Sequence, residues 1–291
     1  MKRAIVQHNF TSGFGDAINC IYEYYTTCEK LKKLGYKVDL LLNLKKSSYF
    51  VEDNFFDFFN IDLFKSMFEN VSILDSPIME KTFEDTIWVN SINVDRPGQH
   101  LWDLFLTPDF ESNILNKINR FSYTVPDYLD YIEIFNSELI YEYKSIKKSY
   151  GLNDDYYSIY YRTYDQEDNL DSCPIFYEKF IDTIYNHSKI FICSNSFKIK
   201  EYVKSLDVNK VVYYDIPDEI NFGNHFYTQN YFLNTPHILK SRTKYVIFDM
   251  LTLSDSKGLD FFSLWNRQSN FLLLSCVKKV KITNNLIQFR N

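Results

Sequence analysis

Glycine and proline are scarce in this chain, with seven of each among 291 residues. That leaves little room for long flexible linkers, and a hydrophobic content of 45% excludes a disordered chain. Cysteine is sparse and unpatterned. Cys20, Cys28, Cys173, Cys193 and Cys276 are odd in number and show no Cys-x-x-Cys spacing. Cys20 and Cys28 fall two turns apart on one expected helix and cannot easily bridge. Reduced, buried thiols in an intracellular compartment are therefore expected. No apolar run approaches bilayer length. Met1-Lys2-Arg3 leads into only three apolar residues before Gln7-His8-Asn9, so no signal peptide is expected either. A soluble, cytoplasmic chain is the reading. Metal patterns are missing as well: the five histidines are scattered, and no Asp-x-Asp pair stands on a plausible strand end. A net charge of −6 argues against holding nucleic acid through the overall field. Two local lysine clusters remain, at Lys30, Lys32, Lys33, Lys37, Lys45 and Lys46 and at Lys278, Lys279 and Lys281. Solvated surface accounts for both; a groove tracking phosphates is the alternative.

What the chain has in plenty is aromatic residues, 26 Phe and 24 Tyr. At this length it suits two α/β halves of ordinary size. Residues 3–8 read as a strand and 16–34 as a helix with the stripe Ile18, Ile21, Tyr22, Tyr25, Leu31 and Leu34. Gly35 caps that helix, and residues 36–42 form the next strand. This strand–helix–strand order predicts a parallel pair. Phe55, Phe56, Phe58, Phe59 and Phe64 are expected in the core, residues 71–74 and 87–89 as short strands, and 127–150 as one long helix ending at Gly151. The alternation then restarts: strand 156–161, helix 175–186, strand 189–193, helix 197–206, strand 210–214. The expected architecture is α/β, with two Rossmann-like halves, 1–150 and 151–291, facing a cleft that is the default ligand site.

Gly13-Phe14-Gly15-Asp16 directly follows the first strand and opens the first helix. Two glycines permit a sharp turn and close approach of a ligand, and a helix start offers unpaired N–H groups to an anion. A plain helix cap is the alternative, since the third glycine of the dinucleotide fingerprint is missing. In the second half, Tyr160-Tyr161-Arg162-Thr163-Tyr164-Asp165 ends a strand, where the Arg162 fork can pair two phosphate oxygens or tie down its loop through Asp165 or Asp168. Ser194-Asn195-Ser196 ends the next strand and can cap a helix. Asp249 and Ser254 precede Ser256-Lys257-Gly258 and then Phe262-Ser263-Leu264-Trp265.

Together these segments resemble the fucosyltransferase-like branch of the GT-B glycosyltransferases. That branch pairs a His-x-Arg-x-x-Asp-like strand end with a strand ending in Ser-Asp/Asn. A later Asp-x-x-x-x-Ser segment then leads to a Ser-Phe-Ser-x-Trp-like run, and Gly-Phe/Leu-Gly-Asn/Asp stands near the start. The likeness covers the motif-bearing parts of 8–20 and 157–265. Tyr160 stands where the family has histidine, and Ser256-Lys257-Gly258 departs from its loop.

The resemblance implies transfer of a sugar from a nucleotide-diphosphate sugar to an acceptor hydroxyl. It implies a donor site made by Gly13, Gly15, Arg162, Thr163, Ser194, Asn195, Asp249, Ser254 and Lys257. An Arg and a helix N-terminus can meet the leaving diphosphate's growing charge, so no metal and no cofactor are expected. The acceptor needs a base. Asp103, Asp16 and His100 are the candidates, with His8 and Trp102 on the acceptor side. That acceptor is a glycan, a protein, a lipid-linked sugar or, in a phage-type variant, a hydroxymethylated DNA base. The competing class is a non-catalytic nucleotide-binding module of degenerate glycosyltransferase fold.

Overall fold

Strand β1, Arg3–Asn9, buries Ala4 and Val6 completely and leaves Arg3 exposed. The computed structural model describes residues 3–9, 14–15, 18, 21, 28–29, 31–44, 49–50, 54–74, 86–91, 102–105, 132–153, 155–162, 172–207, 209–215, 236–263 and 287–289. By its contacts the chain divides into two compact units, Met1–Ser137 and Glu138–Asn291.

In the first unit β1 lies between two parallel neighbours, β2 (Lys37–Asn43) and β4 (Thr86–Ser91). Strand β3 (Val71–Leu74) adds parallel to β2, and β5 (Trp102–Phe105) adds antiparallel to β4. The order is β3-β2-β1-β4-β5. Between β1 and β2 the described residues from Phe14 to Lys33 are all helical. Ile18, Ile21 and Leu31 are buried, as their spacing predicts. Gly35, at φ 84°, ends it: its N–H donates to the Lys32 carbonyl at 2.9 Å, and the Tyr36 N–H to that of Leu31 at 3.0 Å. A side chain would meet nothing near Gly35, so the left-handed backbone alone calls for glycine there.

Two short helices, α1 (Phe55–Phe58) and α2 (Ile61–Met67), carry the aromatic core. Phe50, Phe55, Phe58, Phe59 and Phe64 are buried, Phe56 only half so, and Phe59 stacks on Phe135. Asn60 caps α2 by accepting from the Leu63 N–H at 3.1 Å, while its amide donates to the Glu133 carbonyl.

The second sheet is parallel throughout: β6 (Tyr157–Arg162), β7 (Ile190–Ser194), β8 (Val211–Val212), β9 (Gly258–Ser263) and β10 (Ile287–Phe289), in the order β10-β9-β6-β7-β8. Its helices are α3 (Ser137–Ser149), α4 (Ser172–Asn186), α5 (Phe197–Leu206) and α6 (Pro236–Asp255). Ile159, Tyr161, Ile190 and Ile192 pack on one side against Phe176, Phe180 and Ile184 of α4 and Ile199 and Val203 of α5. The alternate strand residues serve the other face, where Phe191 meets Tyr214, Tyr214 meets Phe248 of α6, and Phe248 meets Tyr143 of α3.

The long helix expected over 127–150 in the first half is corrected here. Residues 132–134 form a turn, and the helix proper, α3, is tied to the second unit. Tyr143 and Lys147 donate to the Asp255 carboxylate at 2.8 and 3.1 Å, and Lys244 to Glu142 at 2.7 Å. These partners follow α3 in sequence, so the division falls after Ser137 rather than near 150. The expected stop at Gly151 stands. Its φ is 68°, with Gly151 and Leu152 N–H groups closing on Lys148 and Lys147. β8 has only two residues where 210–214 was expected.

Candidate functional site

Strand β6 is the middle of the second sheet. The chain builds β7 and β8 on one side of it and β9 and β10 on the other, so the winding reverses at β6. Open α/β sheets bind ligands beyond the carboxyl ends of their strands at such a reversal. Arg162 is the last residue of β6, opposite Ser263 of β9, while Tyr161 lies opposite Ser194, the last residue of β7. Arg162, Ser194 and Ser263 thus share one edge.

The turn after β7 is built by its own side chains. The Ser194 hydroxyl accepts from the Ser196 N–H at 3.1 Å, and the Ser196 hydroxyl accepts from the Ile199 N–H at 3.3 Å as the N-cap of α5. The cap reading of these residues is therefore real, and the turn leaves Asn195 half-buried at the edge.

Asp249 reaches the same edge from α6. It is buried, and it accepts a hydrogen bond from the Cys193 thiol near the end of β7. Burial holds its carboxyl above the usual carboxylate range; the Lys200 ammonium and the Cys193 hydrogen bond pull the other way. Burial and the neighbouring Asp249 charge push the Cys193 thiol well up. Cys28, Cys173 and Cys193 are all buried and none is in a disulfide.

Ser254 and Lys257 do not join this group. The Lys257 N–H donates to the carbonyl of Tyr156, and the Tyr156 hydroxyl donates to the carbonyl of Thr252. Tyr156 immediately precedes β6, so the end of α6 and Lys257 border the amino edge of the sheet. Arg162 lies a full strand away, roughly 16 Å or more at about 3.3 Å per residue. Lys257 instead pairs with Asp155 at 2.6 Å. Asp249 and Ser254 lie on α6, which runs to Asp255, and only Ser256-Lys257 separate it from β9.

In the first unit the winding reverses at β1. Phe14, helical, is buried and packs on the Tyr49 and Phe50 rings at 5.5 and 6.1 Å, and Gly15 is buried beside it. The register aligns His8 with Ser91 and Ser91 with Trp102; Gln7, Asn90 and Asp103 form the next row. The antiparallel run of β5 brings Trp102 and Asp103 back to the edge where β1 and β4 end. Gly13, Asp16, His100 and Thr163 lie outside the described residues.

Among the described residues no cluster of His, Cys, Asp or Glu is able to hold a metal ion, and no helix is long and apolar enough to cross a membrane. Of the first lysine cluster, Lys32 donates to the Ser66 carbonyl and Lys37 lies 3.7 Å from Glu69.

No protein-family model and no curated protein matches the sequence. Solved structures do match. The fucosyltransferase NodZ from Bradyrhizobium superposes with a TM-score of 0.53 at 12% identity, covering 94% of this chain and 92% of that one. NodZ alpha-1,6-fucosyltransferase soaked with GDP-fucose gives 0.51 at 13% identity, over 94% and 91%. The form co-crystallised with GDP gives 0.50 at 12%, over 94% and 92%. The fold is GT-B, the fold of these fucosyltransferase structures. At this identity the likeness is one of fold alone, and it upholds at that level the resemblance drawn from the motifs.

Within this GT-B fold one buried residue beyond the carboxyl end of β7 escaped the sequence reading. Lys200, on the first turns of α5, is 5% exposed. A signal for it exists in the sequence. Lys198 and Lys200 put cations where the helix dipole disfavours them, and α5 has no acidic residue in its first turn.

Proposed function

We propose that this chain is a glycosyltransferase that takes a sugar from a nucleotide-diphosphate sugar and passes it to an acceptor hydroxyl without a metal. The observation that carries the reading is Arg162 at the carboxyl end of β6, where the winding of the second sheet reverses, in a fold shared with an enzyme solved with GDP-fucose and with GDP. An arginine there can fork onto the diphosphate and neutralise the charge it gains on leaving. Ser194, Asn195 and Asp249 complete the donor side. The base then belongs to the first unit, and Asp103, Asp16 and His100 are its candidates. Trp102 and His8, whose backbone shares the edge of Asp103, are proposed to receive the acceptor.

One observation favours a second reading, a nucleotide-binding module without turnover. Tyr160 stands where the resembled family has histidine, and it is buried within β6. A panel of nucleotide sugars separates the two. Slow release of nucleoside diphosphate from one donor, with transfer when glycan or hydroxymethylated DNA acceptors are added, is expected of a transferase. Tight nucleotide binding with no release from any donor would establish the binding module instead.

A further inference from the structure

Two helices of the second unit each turn a patterned stripe to solvent. On α3, Tyr141, Lys144 and Lys148 stand at i, i+3 and i+7 and share one face, all exposed, Tyr141 at 78%. On α4, Glu178, Asp182 and Tyr185 stand at i, i+4 and i+7, also exposed, Tyr185 at 69%, and Ile175 continues the stripe toward the start of the helix. A single exposed ring is ordinary surface. Here the large apolar side chains exposed among the described residues are Tyr141 on α3, Ile175, Tyr177 and Tyr185 on α4, and otherwise Leu34. The other charges of α3 are used within the molecule, Lys147 by Asp255 and Glu142 by Lys244. Lys144, Lys148, Glu178 and Asp182 make no ion pair among the described residues.

The two stripes are complementary residue by residue. Both run in steps of three and four, so with the helices antiparallel Tyr141 meets Tyr185, Lys144 meets Asp182 and Lys148 meets Glu178. Opposite charges then face each other at matched spacing beside a pair of rings. Nucleic acid would be drawn to one stripe and repelled by the other. One molecule cannot join the two, because they lie on opposite sides of the second sheet. Helix α4 packs on the side of Ile159 and Tyr161, whereas α3 meets Phe248 of α6 through Tyr143 on the other. We infer that α3 of one copy of this chain docks on α4 of the next. The two surfaces differ, so the contact is head-to-tail and repeats from copy to copy, closing as a ring or extending as a filament. A contact of two helices is small, so the association is weak and depends on concentration. It uses no strand end and stands independently of the donor reading.

Sedimentation velocity of the full chain, diluted from the millimolar to the low micromolar range, tests it. The sedimentation coefficient of the parent is expected to rise with concentration. Lys144→Glu with Lys148→Glu, and separately Glu178→Lys with Asp182→Lys, should each weaken association about tenfold or more, because attraction between the stripes becomes repulsion. All four positions are exposed, and circular dichroism checks that each variant is folded. Mixed in equal amounts, the two variants should associate as the parent does, since each offers the other a stripe of opposite sign. A parent that stays monomeric throughout would overturn the inference. So would charge-reversed variants that associate like the parent, or a mixture that associates no better than either variant alone.

Discussion

Arg162→Ala is the sharpest test of the donor site. Arg162 is the last residue of β6 and half-buried, whereas Ile159 and Tyr161 of the same strand are fully buried and carry its packing. Truncation beyond the strand end is therefore expected to cost under about 1 kcal/mol of stability, as for substitutions that open no core cavity. Its effect on nucleotide binding is far larger. Removing one partner of a desolvated, hydrogen-bonded charge pair costs about 2–5 kcal/mol, and each 1.4 kcal/mol is about tenfold in affinity. GDP or UDP should bind about thirtyfold to several-thousandfold more weakly, while the parent nucleoside, lacking phosphates, should bind nearly unchanged. Arg162→Lys keeps the charge but loses the fork and should fall between the two. Titration calorimetry gives the affinities, and a denaturant curve on the same samples gives the stability. Diphosphate binding equal to the parent, or a variant that unfolds under the assay conditions, would refute the assignment: Arg162 would then be a structural residue of its loop.

Burial raises the folded pKa of Asp249 above its unfolded value, so the stability linked to this group is present at low pH and lost as pH rises through the folded pKa. Asp249→Asn should be at least as stable as the parent at neutral pH, and the difference should shrink as pH falls toward 3.8; a less stable variant at neutral pH, by denaturant midpoint, contradicts this. Sugar transfer should persist in excess EDTA, and loss of turnover with rescue by manganese or magnesium would end the metal-free proposal. Single replacement of Asp103, Asp16 and His100 should identify one variant with turnover down about a hundredfold and donor affinity unchanged. Three variants transferring at the parent rate would move the base elsewhere.

The local elements were legible because local chemistry sets them. The buried stripe Ile18, Ile21 and Leu31, the apolar run Ile190–Cys193 of β7, the Ser196 cap and the glycine stops at 35 and 151 each follow from side-chain period or backbone freedom within a few residues. Helix α6 was not legible, although Pro236 stands at its first position. From Ile247 to Ser254 every residue is buried, so no polar face marks the 3.6 period and no helix was assigned around Asp249. The division of the chain was misread because α3 finds its partners Asp255 and Lys244 about a hundred residues later. The sequence by itself determined that strands and helices alternate twice and that Arg162 and the glycine turn follow strands. Only the tertiary structure decided that Arg162 stands where a sheet reverses its winding, that Lys257 and Ser254 border the opposite edge, and that Asp249 of α6 lies beside Cys193 of β7. Strand order and the meeting of a helix with a strand depend on which buried faces pack together over long separations, and no local period records that.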